Sequence, residues 1–228
     1  MNTRRWATLA RITAVSALFA GLGLHVSQAM AQAAAAVVPV AGTTAQAPDV
    51  LIRTLTTDVL EAVRRDKAIQ SGDSRKIEAL VNTQIMPYVN FSRMTADAVG
   101  RNWRQATPDQ QQRLQQEFKS LLLHTYSGAV AQIRDQSVDV KPLRARPDDA
   151  QVIVRTLVRG RGDPIQLDYR LENTPQGWKI YDVNVMGAWL VQSYKTSFSQ
   201  DVSAVGIEGL ITRLIERNKQ NAKKRAGG

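Results

Sequence analysis

No cysteine occurs anywhere in the sequence. That excludes disulfides, thiol nucleophiles and Cys-ligated metal sites, and it leaves core packing to hold the fold together. Histidine is almost as scarce. Of the two present, His25 lies in a segment that reads as removable, so His124 stands alone. One histidine is too few for a His-rich metal site, and any Ser-His-Asp arrangement would have to use it. His124 falls near the edge of a helix's apolar face, where a lone histidine is expected to be structural. A glycine-rich phosphate loop is also missing: Gly160-Arg161-Gly162-Asp163 lies between two strand patterns and reads as a hairpin turn. Asp148-Asp149, between Pro147 and a strand, reads as solvated loop rather than a cation site. One acid–base pair stays open on these grounds, Asp168 with Asp182 on neighbouring strands.

Acid is in short supply, 20 Asp and Glu against 30 Lys and Arg, for a formal net charge of +10. Such a surplus favours anionic partners: nucleic acid, anionic lipid surfaces or acidic proteins. The N-terminus narrows the choice. Three Arg and no acid in the first eleven residues precede an apolar stretch, Ile12 to Val26, and then the small-x-small pattern Ala29-Met30-Ala31. That order is a secretory signal peptide over residues 1–31, and its apolar part is short of the ~20 residues a membrane span needs. With no cysteine at the cleavage pattern a lipid anchor is excluded, and no later apolar run is long enough to span a bilayer. A soluble periplasmic protein is expected, and export argues against nucleic acid as partner. Residues 32–48, rich in Ala, Pro and Thr, read as a flexible leader, and residues 219–228, with Lys219, Lys223, Lys224 and Arg225, as a basic disordered tail.

Between them, residues 49–218 read as one domain. Val50, Leu51, Leu55, Val59 and Val63 recur at helical spacing until Gly72. Ser74 is placed to cap a second helix that Pro87 ends. Thr107-Pro108-Asp109-Gln110 is the clearest helix start, with a hydroxyl at the N-cap, Pro at the first position and Gln in the capping-box place. On this helix Leu114, Phe118, Leu121, Leu122, Thr125 and Ala129 share a face. From Ser137 the period switches to two. Strands are expected at Val138–Val140, over 150–159, over Ile165–Leu171 with polar residues alternating, and from Trp178 to Met186 after the turn 173–177. Two more helices, from about Ala188 to Gln200 and from Gly206 to about Asn218, close the domain. The fold class is α+β, with helices packed on one face of a curved antiparallel sheet of about four strands.

Several ordered segments carry a resemblance. They are Met86-Pro87-Tyr88-Val89-Asn90-Phe91-Ser92-Arg93-Met94, Gly100 to Pro108 (GRNWRQATP), Leu167-Asp168-Tyr169-Arg170-Leu171, Gly177 to Val183 (GWKIYDV), Tyr194 to Phe198 (YKTSF) and Gly206 to Leu210 (GIEGL). Together they resemble the MlaC family of periplasmic phospholipid-binding, or toluene-tolerance, proteins over roughly residues 50–218. The resemblance implies an NTF2-like cone with an apolar cavity that holds acyl chains between sheet and helices. It implies a shuttle carrying phospholipid between an inner-membrane ABC transporter complex, with its membrane-anchored substrate-binding subunit, and an outer-membrane lipoprotein/porin complex. No cofactor is expected, only phospholipid as cargo, and no enzyme activity. Where the family often has Gly-x-Ser, this chain has Gly187-Ala188-Trp189, an indole expected to reshape the pocket mouth.

Large apolar side chains suit such a lining in both layers. The helical candidates are Tyr88, Phe91, Met94, Trp103, Phe118, Leu122, Tyr194 and Phe198. Those of the strands and the step after them are Val154, Leu167, Tyr169, Tyr181, Val183, Val185 and Trp189. Each taken singly also suits an ordinary core. Two rival functions fit the same fold: an enzyme, which needs a convergent polar cluster in the cavity, and a periplasmic adaptor with a filled core that acts through protein contacts alone.

Overall fold

The computed structural model describes residues 46–143, 146 and 148–226. The expected signal peptide and nearly all of the expected leader lie outside them. Helix α1 (Pro48–Arg65) begins with Pro at its first position, and Asp49 and Arg64-Arg65 complement the helix dipole at its two ends. Its buried stripe is Leu51, Ile52, Leu55 and Val63, whereas Val50 points outward. The helix stops before Gly72 because the Asp66 carboxylate accepts the Ala68 and Ile69 N–H groups and starts a new turn, α2 (Lys67–Gln70). Helix α3 (Ser74–Leu80) is capped by Asp73, one residue before the expected Ser74, with the carboxylate accepting from Arg75 and Lys76. A π turn (Val81–Ile85) and a 3-10 turn (Met86–Tyr88) follow directly.

The chain then touches the sheet edge, where Asn90 donates its N–H to the Ile180 carbonyl at 2.8 Å. The Asn90 side chain caps α4 (Phe91–Val99), which ends at Gly100 with φ +69°. After a 3-10 turn (Gly100–Gln105) comes α5 (Pro108–Ala131), with the expected capping box between Thr107 and Gln110 formed in both directions.

Six antiparallel strands form an open curled sheet: β1 (Ser137–Val140), β2 (Gln151–Val154), β3 (Thr156–Arg159), β4 (Ile165–Thr174), β5 (Gly177–Val185) and β6 (Ala188–Trp189). β4 is central, pairing with β2 and β3 on one side and β5 on the other. The expected strand over 150–159 is interrupted at Arg155. There the Thr156 N–H leaves the ladder and donates to the Asp168 carboxylate, and the Thr156 hydroxyl donates to the Leu167 carbonyl. Gly160–Asp163 does join two antiparallel strands, β3 and β4. Register places Val154, Tyr169 and Val183 on one face, with Leu171, Ile180 and Trp178 further along it. The opposite face is mostly polar, with Asp168, Arg170, Glu172 and Asp182.

Helix α6 (Leu190–Ala226) bends at Gly206 (φ 71°, ψ −179°), a conformation open to glycine but costly for other residues. The two expected final helices are thus its two limbs, meeting at one residue. The second limb packs Leu210, Ile211 and Leu214 against Leu114, Phe118 and Leu121 of α5. It runs on to Ala226, past Asn218, where the sequence pattern ends the domain; Lys219, Lys223 and Lys224 are exposed helical residues. A segment of Lys, Gln, Ala and Arg consists of good helix formers, so the helix continues without a core to drive it. Among the described residues no helix is long and apolar enough to cross a membrane.

Candidate functional site

Helix α5 is apolar on two sides. One stripe, Leu114, Phe118 and Leu121, is buried against α6. Phe118 lies at the centre of an aromatic cluster, 5.7 Å from Phe91, 5.0 Å from Tyr194 and 5.3 Å from Phe198, ring centre to ring centre. The second stripe faces a hollow instead. Lys119, Leu122, Leu123, Tyr126, Ser127 and Val130, at three- and four-residue steps, line one wall of a cavity of about 250 Å³. The opposite wall is Ile77 of α3, then Val81, Ile85 and Met86 of the π and 3-10 turns. Val89, Phe91, Met94, Val183 and Leu190 complete it.

The two walls run antiparallel. At one end Val130 packs against the core cluster that contains Ile77. At the other, the Lys119 ammonium donates to Oδ1 of Asn82, an exposed residue of the π turn, at 3.3 Å. The seam is therefore apolar at the Val130 end, and its Lys119 end adjoins an exposed polar residue. Polar atoms in it are few: the Lys119 ammonium, the Tyr126 hydroxyl and the Ser127 Oγ. Ser127 is 3% exposed, and its Oγ has no hydrogen-bond partner among the described residues. Burial pushes the Tyr126 hydroxyl's pKa up, so it stays a donor at ordinary pH.

Nothing in this seam resembles a catalytic constellation. His124 is half-buried on α5 and does not line it. Asp168 and Asp182 do share a sheet face, but it is the polar one, and both carboxylates are occupied. Asp182 accepts from Arg170 Nη1 at 3.0 Å, Val183 N at 2.9 Å and Val191 N at 3.0 Å, tying the start of α6 to β5. Burial nevertheless raises its pKa, those three donors acting the other way. Asp168 accepts from Thr156 N at 3.2 Å and Gln166 Nε2 at 2.5 Å. Among the described residues no cluster of three or more His, Asp or Glu is placed to hold a metal.

The sequence profile of the MlaC protein family matches residues 53–216. This chain belongs to that family. Two relatives agree: the toluene tolerance protein ttg2D of Pseudomonas putida, 24% identical over 74% of this chain and 79% of its own length, and the intermembrane phospholipid transport system binding protein MlaC of Haemophilus influenzae, 20% identical over 76% and 83%. Among solved structures, a phospholipid-binding protein from Ralstonia solanacearum in complex with a phospholipid superposes with a TM-score of 0.74. It is 46% identical, and the match covers 75% of this chain and 97% of that one.

The candidate lining of an MlaC-type cavity is distributed unevenly. Phe91, Met94, Leu122 and Val183 line the seam. Phe118, Tyr194 and Phe198 form the aromatic cluster behind it. Val154, Leu167 and Tyr169 pack against α1 in a separate core. Val185 is half-buried at the end of β5, opposite Leu167, outside the seam. Tyr88 is exposed beside α1. Tyr181 bulges to the polar face, where its hydroxyl donates to Gln151 and the Arg93 guanidinium stacks 3.6 Å over its ring. Trp189 lies on that face too, under the Arg170 guanidinium at 3.9 Å, and not at the seam; its neighbour Leu190 lines the seam instead. Trp103 borders a different hollow, about 650 Å³, with Arg101, Arg104, Arg170, Lys195 and a single acid, Asp97. Leu123, Tyr126 and Val130 escape the sequence pattern because it assigns α5 one apolar face where there are two, whereas Ile77, Val81 and Ile85 read there as the ordinary apolar positions of the second helix.

Proposed function

We propose that this chain is a periplasmic phospholipid carrier that holds acyl chains in the seam between α5 and the π turn. The observation behind the reading is the seam itself, apolar along both walls, in an MlaC-family chain 46% identical to a protein seen with a phospholipid. A two-chain phospholipid has about 30 methylenes, each worth ~0.8 kcal/mol on leaving water, so on the order of 24 kcal/mol opposes aqueous transit. A carrier has only to replace the bilayer interior with apolar walls, and needs no reacting side chain. At about 250 Å³ the seam lies below the roughly 300–1,000 Å³ of small-molecule pockets, so cargo must part its walls. The wall of π and 3-10 turns is the one whose hydrogen bonding yields more readily.

The route we propose runs between the inner-membrane ABC transporter complex, with its anchored substrate-binding subunit, and an outer-membrane lipoprotein/porin complex. The chain's positive balance and the four cations around the Trp103 hollow support encounters with acidic partner surfaces. Association with either complex is then expected to slow as salt rises. The carrier reading is tested by solvent extraction and mass spectrometry of protein purified from the periplasm without detergent. Stoichiometric phospholipid is expected; protein free of lipid would refute it.

A further inference from the structure

Lys119 is half-buried, and no carboxylate lies within ion-pair distance of it among the described residues. Its one hydrogen bond goes to a neutral amide, Asn82 Oδ1. A cation at the rim of an apolar seam with no countercharge is set up to receive an anion. The rest of the stripe fixes where the remainder of that ligand goes. From Lys119 to Val130 the helix rises roughly 16 Å at 1.5 Å per residue, about half of a bilayer's ~30 Å hydrocarbon core. One acyl chain occupies that depth in its own leaflet. The stripe thus has a charged end beside exposed Asn82 and an apolar end at Val130, a chain's length apart.

We infer that Lys119 anchors the phosphodiester of the bound lipid, with the acyl chain running beside α5 from Lys119 towards Val130. The assignment rests on the carrier reading and deepens it. The phosphate is the group all phospholipids share, so one cation at this place selects phospholipid over uncharged lipid without choosing among head groups. The Tyr126 hydroxyl and the unpartnered Ser127 Oγ both lie about two turns further in, beyond the ester oxygens of a lipid whose phosphate sits at Lys119, so that depth is left to the acyl chain. Lys119 therefore reads the class of lipid while the walls read its apolar length.

The test is an exchange experiment. The protein is incubated with phosphatidylcholine vesicles doped with diacylglycerol of the same chains, and bound lipids are quantified by mass spectrometry against the vesicle composition. Inorganic phosphate is added in a parallel arm. Wild-type protein is expected to favour phosphatidylcholine by about tenfold or more, the worth of one charge-assisted hydrogen bond. Lys119→Met, which keeps the aliphatic stem, should lose that preference yet still take up diacylglycerol, whereas Lys119→Arg should retain it. Diacylglycerol uptake shows that the variant is folded and its seam intact. Inorganic phosphate should displace neither lipid, since a free anion gains nothing from the apolar walls. Undiminished preference in Lys119→Met would overturn the assignment and leave the carrier reading standing. So would displacement of phosphatidylcholine by phosphate, which would mark a free-anion site. Wild-type protein that takes up neither lipid would overturn the carrier reading and this one with it.

Discussion

The apolar face of the sheet is covered in two different ways. Towards β2 it is covered by α1, and Leu51, Ile52 and Leu55 meet Val152, Val154, Tyr169, Leu171, Trp178 and Ile180 in a closed core. Towards α6 it meets α4, α5 and the π turn, and a cavity is left. Val183 and Val89 pack against both regions, so the difference does not come from the sheet. It comes from the covering elements. A regular helix such as α1 presents one stripe at constant pitch and can interdigitate along its whole length. The wall facing α5 changes from α to π to 3-10 within Ser74–Tyr88, so its side chains cannot keep step with a regular partner. The space lies where two helical periods fail to match, and α5 can tolerate that because its other stripe is anchored in α6.

Removing volume should hurt far more on the α1 side. Leu171 is fully buried among α1 and the strands. Leu171→Ala should cost about 2–5 kcal/mol in denaturant unfolding, the loss of buried methyls plus the cavity left behind. The fraction still folded should carry its usual lipid, because the seam is not touched. Loss of lipid with little change in unfolding free energy would break the contrast, and would mean that the α1 side also holds cargo.

Legibility from the sequence follows the same division. Where one residue pattern meets one partner, the pattern can be read. The Thr107–Gln110 capping box and the 173–177 turn are local signals, and each has its expected form in the fold. The alternation of Ile165–Leu171 holds only in part: Tyr169 and Leu171 are buried, but Ile165 is exposed and Asp168, expected on the wet face, is buried. Signals that need a tertiary partner could not be read. The strand over 150–159 is interrupted by a carboxylate from the neighbouring strand, Asp168. The last helix outruns the domain because its propensity needs no core. The seam was half visible. Leu122, Phe91, Met94 and Val183 could be chosen as large apolar residues, but so could Val154 and Tyr169, which lie in the closed core. Thr125 and Ala129, assigned to the core face of α5, are exposed. Fitting one broad face to α5 merged two narrow ones. The steps from Lys119 through Leu122, Leu123 and Tyr126 to Val130 were available in the sequence as a second period, and a helix apolar on two sides needs two covers.

The sharper and smaller effect belongs to Leu123. It lines the seam, is half-buried, and belongs to none of the buried core clusters. Its side chain therefore does little for folding, and a change there should register on cargo instead. Leu123→Trp adds a ring to a space of about 250 Å³ without adding charge or breaking helix propensity by more than a few tenths of a kcal/mol. In a tightly packed core such an enlargement would cost roughly 1–3 kcal/mol by strain. Here room exists, so the unfolding free energy should move by no more than ~1 kcal/mol, in either direction. The same ring occupies the path between Lys119 and Val130, and the purified variant should carry little phospholipid by extraction and mass spectrometry. Leu123→Ala is the counterpart: it widens the seam, and its lipid content should hold. A folded Leu123→Trp protein with a full complement of lipid would show that the chains run elsewhere. A strong loss of stability in both variants would show that Leu123 is core after all, and that the two sides of the sheet are packed alike.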